Sequence, residues 1–334
     1  MNGNEIIDRY MKGERDFRGL DLMAANLIGA ELISANLSGS NLKEASLARA
    51  HLERCFIQEA NLSGAFLYGT NLHYVKLKDS RLIEADLTKA NLSGAHLAKA
   101  DLMGAKLSGA ILTWVTLFRA NLPGVNLCGA NLNGINLRSA NLEKANLNWT
   151  NLSGARLSGA NLRGAQLNGV KLDGAFLNGL QLEGIDFSSL ELNQVKLSGA
   201  KLMGANLRGT SLRDSQLRFT CLDDANLERA DLHGSNIRGG QFIQANLMQT
   251  NLEECDLRTA DLSHTNLNLA NLRGADLSNA NLRGAYFWGA NLDGANLRGA
   301  DLRDASLRNA KLNGANLQDA ILTGATLPDG RIHG

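Results

Sequence analysis

An apolar residue falls at every fifth position of this chain. In the stretch 271–285, NLRGADLSNANLRGA, these positions are Leu272, Leu277 and Leu282, with Ala270, Ala275 and Ala280 two places earlier. Asn271, Asp276 and Asn281 stand between them, and two small or polar residues follow each leucine. The pentad A-(N/D)-L-x-x runs from Phe17 to Leu327 without insertion, 63 times, and all of its centres are apolar. Six centres are not leucine: Phe17, Ile57, Phe187, Ile237, Phe242 and Phe287.

A period of five fits neither an amphipathic helix nor a long flat strand. Within a pentad, however, alanine, asparagine and leucine alternate inward, outward and inward, as a short strand does. The next two residues are mostly Gly, Ser, Asn, Asp, Arg or Lys, which suit a turn. Three strand residues and a turn, repeated, wind the chain into a coil lined by leucine and alanine. Stacked coils then bond backbone to backbone, which makes a β-solenoid.

These pentads closely resemble the pentapeptide-repeat proteins, whose signature A-(D/N)-L-x-x is carried by Ala25-Asn26-Leu27, Ala85-Asp86-Leu87 and Ala275-Asp276-Leu277. The resemblance covers residues 15–327. It implies an all-β, right-handed quadrilateral β-helix with four pentads per coil; periodicity itself implies only a coil. At that count the chain makes about 16 coils and a rod about 75 Å long.

Residues 1–14 are expected to cap the first coil, 15–327 to form one solenoid domain, and 328–334 to close the other end. A short amphipathic helix is predicted over 4–12, capped by Asn4, ended by Gly13, with Ile6, Ile7, Tyr10 and Met11 on one face. It would cover an otherwise open backbone edge. From 170 to 195 the inward small-residue slot holds Val170, Ala175, Leu180, Ile185, Leu190 and Val195, so wider coils or altered turns are expected there. The Pro-Asp-Gly of LPDGRIHG reads as a terminal turn.

Composition narrows the function. Formal net charge is +1, so neither a strongly basic nucleic-acid binder nor an acidic mimic of one is indicated. The first residues carry charges where a cleavable signal needs an apolar core, and no apolar run approaches a membrane span. Cys55 and Cys255 fill inward slots ten coils apart, and no pair looks bridgeable, in keeping with a reducing cytoplasm. Six scattered histidines lack metal-ligand spacing, and neither a phosphate loop nor a nucleophile motif is present. No catalytic activity, cofactor or metal is expected.

Two surface features invite a binding reading. Arg218, Arg238, Arg258 and Arg298 fall in one column when the sequence is folded by twenty, with Asp256 and Asp276 beside them as neutralising acids. Ile111, Trp114 and Phe118 occupy outward or corner positions, with Arg138 one coil beyond Phe118. Leu102 to Lys171 holds one acid, Glu143, against Lys106, Arg119, Arg138, Lys144, Arg156, Arg163 and Lys171. An apolar patch in a basic belt is what a protein-contact site looks like. Near the C-terminus Arg308 is expected over the Trp288 ring.

The function expected is therefore a non-catalytic scaffold that binds an unidentified protein partner. Membrane and nucleic-acid partners are disfavoured, and a monomer is expected, with end-to-end association left open. Cyanobacterial family members that influence cell differentiation are the nearest analogy. The alternative is a DNA mimic that binds gyrase, as the quinolone-protecting members do; that role implies an acidic rod, which this near-neutral chain does not provide.

Overall fold

Each pentad of the chain folds in the same way, and the fold follows from that unit. The computed structural model describes residues 2–334. The turn residue two places after each centre, from Gly19 to Gly324, has a left-handed φ, whether it is glycine or a residue such as Trp149 or Asp304. That turn lets the N–H three places after the centre donate back to the centre's carbonyl, as Ala155 does to Leu152 at 2.9 Å. Only the residue before each centre is then extended enough to bridge another coil. The three-residue strand expected from the alternation is thus reduced to one bridged residue per pentad.

The described chain divides into two compact units, Met1–Lys171 and Leu172–Gly334. In the first, parallel bridges join residues twenty apart in four ladders, from Asp16↔Asn36 to Asn151↔Lys171. The second repeats the arrangement from Phe176↔Lys196 to Ser306↔Thr326. Twenty residues per coil is four pentads. Between coils the centre's N–H donates to a carbonyl nineteen residues on, as Leu147 does to Gln166 at 2.9 Å.

Inside, leucine centres and alanine slots are almost all inaccessible to solvent. Full burial of each such leucine contributes roughly 1.5–3 kcal/mol, which makes the pentad itself the unit of stability. Polar residues in the alanine slot are satisfied by a carbonyl three residues back, as Thr150 Oγ1 donates to Leu147 at 2.7 Å, or 23 residues back. Ser40 Oγ, Thr70 Oγ1 and Thr210 Oγ1 donate to carbonyls 23 residues back, those of Phe17, Leu47 and Phe187, at 2.9, 2.8 and 2.7 Å. Cys55 and Cys255 imitate this, each placing Sγ 2.9 Å from the Leu32 or Leu232 carbonyl.

The first coil is covered by helix α1, Gly3–Met11. Its cap is Asn2, not Asn4: the Asn2 side chain accepts from the Glu5 N–H at 2.9 Å. Gly3 opens the helix because a Cβ there would lie 1.9 Å from the Asn26 carbonyl oxygen. The face that packs runs through Gly3 and Ile6 to half-buried Tyr10, whose hydroxyl donates to the Ile33 carbonyl at 3.1 Å; Met11, expected on that face, is exposed. The larger inward residues of 170–195 leave the turns unaltered, with φ of 58–68° from Gly174 to Gln194. Ile185 and Leu190 are half-buried, while Phe187 is enclosed. At the other end the tail doubles back, with Ile332 bridging Thr326 antiparallel. It covers one side, and Leu312, Leu317 and Leu322 stay half-buried.

Candidate functional site

The left-handed turn residue is where this scaffold displays large side chains. Its side chain leans along the stack toward the same position of the next coil, twenty residues later. Tyr74, Trp114, Trp149, Phe219, His264 and Leu269 all do this, and the residue beneath each is glycine: Gly94, Gly134, Gly169, Gly239, Gly284 and Gly289. A Cβ on Gly169 would meet the Trp149 ring at 2.2 Å, and one on Gly134 would meet Trp114 at 3.3 Å. Glycine therefore makes a shallow seat for an outward ring, and the ring remains accessible: Trp114 is 75% exposed and Trp149 69%.

The sequence-predicted group of Ile111, Trp114, Phe118 and Arg138 is split by a corner. Ile111 lies on the ladder Asn91–Ile111–Asn131, in the same pentad as Trp114, and both are exposed. Phe118 belongs to the next side, whose ladder is His96–Thr116–Asn136. It is half-buried, with the Arg119 and Arg138 guanidiniums 5.1 and 5.8 Å from its ring centroid. Arg138 also donates from Nε to Asn136 Oδ1 at 3.2 Å. So Trp114 with Ile111 offers bare apolar surface, while Phe118 carries two cations.

The column of Arg218, Arg238, Arg258 and Arg298 is neutralised at two of its four members, Arg258 and Arg298. Arg258 pairs with Asp256 at 2.7 Å and lies 3.9 Å from Asp276; Arg298 lies 3.6 Å from Asp319. Hydrogen bonding from Arg258 holds the Asp256 carboxyl below its ordinary range, and the charge of Arg238 adds to this against the effect of burial. Arg218 sits over the Phe219 ring at 5.5 Å. Near the C-terminus Arg308 makes no ring contact with Trp288, whose backbone N–H donates to Asn268 Oδ1 at 2.8 Å.

Other functional chemistry is sparse. Among the described residues no set of three His, Cys, Asp or Glu side chains could hold a metal ion. The surface depressions are shallow and polar, one lined by Ser38, Gly39, Gln58 and Glu59, another by Ser278, Asn279, Asn296, Arg298, Gly299 and Asp319. All four cysteines are free. No helix of the described residues is long and apolar enough to cross a membrane. Sequence reasoning missed Tyr74 and Trp149 as displayed rings. The signal was there: a bulky second turn residue followed, twenty places on, by glycine.

The family model for pentapeptide repeats, eight copies long, matches the chain in overlapping runs over 21–117, 120–188, 191–289 and 290–329. Among solved structures the chain is 28% identical to HetL from the cyanobacterium Nostoc sp. strain PCC 7120, a pentapeptide repeat protein involved in heterocyst differentiation regulation. That match covers 100% of both chains, with a TM-score of 0.24. Rfr23 from the cyanobacterium Cyanothece 51142 is 24% identical over 51% of this chain and 98% of its own, with a TM-score of 0.21. QnrB1, a plasmid-mediated fluoroquinolone resistance protein, is 17% identical over 64% and 88%, with a TM-score of 0.23. At these TM-scores the family assignment rests on the repeat model alone. No curated protein matches the chain.

Proposed function

Since the chain belongs to the pentapeptide-repeat family, whose members are generally structural or binding proteins, we propose that it is a non-catalytic scaffold that binds another protein. In this reading the coils wind as a right-handed quadrilateral β-helix in the cytoplasm, where four free thiols stay reduced. The observation that carries it is Trp114, three-quarters exposed beside exposed Ile111, on a backbone bonded to the coils above and below. An exposed aromatic on a rigid frame loses little freedom on docking, which is what a binding hot spot requires.

The contact side chains are Ile111, Trp114, Phe118 and Arg138. Trp114 and Ile111 supply apolar area, and Phe118 with Arg138 supplies a charged rim around the corner. Neither aromatic fills an inward slot, since Leu112 and Leu117 are the buried centres. The test is affinity capture with the intact chain as bait, followed by titration of the captured protein. Trp114→Ala with Phe118→Ala should weaken that binding by about 2 kcal/mol or more and leave the melting temperature nearly unchanged. A lowered melting temperature with unaltered affinity would instead make both aromatics structural. Binding to gyrase as a DNA mimic is the weaker reading, because a formal net charge of +1 provides no acidic field.

A further inference from the structure

One side of the first unit is cationic over four successive coils. Its outward cations are Lys99, Arg119, Arg138 and Arg156, all exposed, and no acid lies on that side of these coils. Backbone bonds place them on neighbouring turns: the Lys99 N–H donates to the Phe118 carbonyl at 2.9 Å, Arg119 to Arg138 at 3.0 Å, and Leu137 to Arg156 at 2.8 Å. Coils spaced about 4.8 Å apart thus stack like charges along one stripe. His96 on the same side is held below the usual histidine range by burial and then by Lys76, so it is neutral at pH 7.

In the second unit Arg213, Arg258, Arg273, Arg283, Arg298 and Arg303 each have a carboxylate partner. Lys196, Lys201, Arg218, Arg238, Arg308 and Lys311 have none among the described residues but stand in coils that also carry acids. Lys99, Arg119, Arg138 and Arg156 have none among the described residues. No acid on that side of these four coils offsets their repulsion, and an external anion would relieve it.

The stripe also has geometry. Two of its guanidiniums are gathered on the Phe118 ring, at 5.1 and 5.8 Å from the centroid. Cation–π attraction restrains both heads before any ligand arrives. Arg119 makes no side-chain hydrogen bond, and Arg138 uses only Nε, so planar donor forks stay open to carboxylates.

We infer that this stripe docks an acidic, extended segment of a partner protein. Side chains on one face of an extended chain recur roughly every 6.8 Å, wider than the roughly 4.8 Å between coils, so the match is one of charge, a run of carboxylates against four cations without acids beside them. Single-stranded nucleic acid fits less well, because it binds through rings free to stack on bases and the Phe118 ring is already taken by two guanidiniums. The inference rests on the scaffold reading and names the partner's chemistry.

The experiment uses the full chain and a fluorescein-labelled ten-residue polyglutamate peptide, read by anisotropy at low and moderate salt. Wild type should bind, more weakly as salt rises, and Arg119→Glu with Arg138→Glu should weaken binding at least tenfold. Arg283→Glu with Arg303→Glu, in the second unit, should change it less than twofold. Equal loss in both pairs would mean an unspecific charge effect and would overturn the stripe, as would unaltered binding in the first pair. Tighter binding of a labelled ten-nucleotide oligothymidylate through the same arginines would reassign the stripe to nucleic acid. Overlaid melting curves confirm folding, and Arg119→Gln with Arg138→Gln replaces the reversal if it unfolds. Trp114→Ala should leave peptide binding intact, so loss of a protein partner in that variant bears on the scaffold reading alone.

Discussion

Trp149 and Gly169 show how a single side chain is accommodated on this scaffold. The indole sits on a left-handed turn residue, φ 60°, and reaches over a glycine of the following coil. Gly169→Ala would introduce two costs. One is the left-handed backbone of an L-residue, roughly 1 kcal/mol or somewhat more; the many charged residues that adopt it here show that this cost is tolerated. The other is the 2.2 Å collision with the ring. Gly294→Ala carries only the first, since nothing lies within 4 Å of its Cβ. Gly169→Ala should therefore lower stability by at least about 1 kcal/mol more than Gly294→Ala, and Trp149→Ala should remove the excess. Denaturant melts of the four variants decide it; equal losses at both glycines would mean that the ring swings away freely.

At the scale of one coil, the inward small-residue slot is a test of burial. Burial pushes the Cys55 and Cys255 thiols up to about 12, against the lesser effect of nearby backbone hydrogen bonds. Thiolate is the reactive form, so both should resist a disulfide reagent at pH 8 in the folded protein. Cys128 and Cys221 lie at half-buried outward positions. Titration of native protein should then modify at most two thiols quickly, and denatured protein all four. Rapid modification of Cys55 or Cys255, mapped by peptide mass, would show that the coils open far more readily than their ladders suggest. The cap obeys the same local logic: Asn2 rather than Asn4 starts α1 because only Gly3 clears the Asn26 carbonyl.

For the molecule as a whole, charge separates the two functional readings. A formal net charge of +1 comes from 34 basic and 33 acidic residues, and it is unevenly placed. The second unit pairs many arginines with acids, whereas the stretch 102–171 carries seven bases and one acid. A mimic of DNA needs the opposite sign. Addition of the chain to a gyrase supercoiling assay is expected to cause no inhibition at concentrations where an acidic mimic acts. Potent, specific inhibition would reverse the ranking of the scaffold and mimic readings.

The pentad by itself determined the coil, its leucine and alanine interior, and the turns, because each repeats one local choice of small, polar and apolar residues. The four-pentad coil came with the family resemblance and not from the period of five; the structure shows its mark where the Tyr74 and Phe219 rings lie over glycines twenty places later. Exposure of Trp114 could be read from its outward register. Contacts between sides could not. A linear pattern ranks Trp114 and Phe118 as neighbours four residues apart, but the corner between their ladders puts them on different sides. Folding the sequence by twenty already put Arg138 one coil beyond Phe118, where its guanidinium lies 5.8 Å from the ring. But only the stacked backbone leaves Lys99, Arg119 and Arg156 without acids, since partners one coil away are set by a fold twenty residues long. The same reason decided the arginine column, where Asp319 reaches Arg298 across 21 residues of chain.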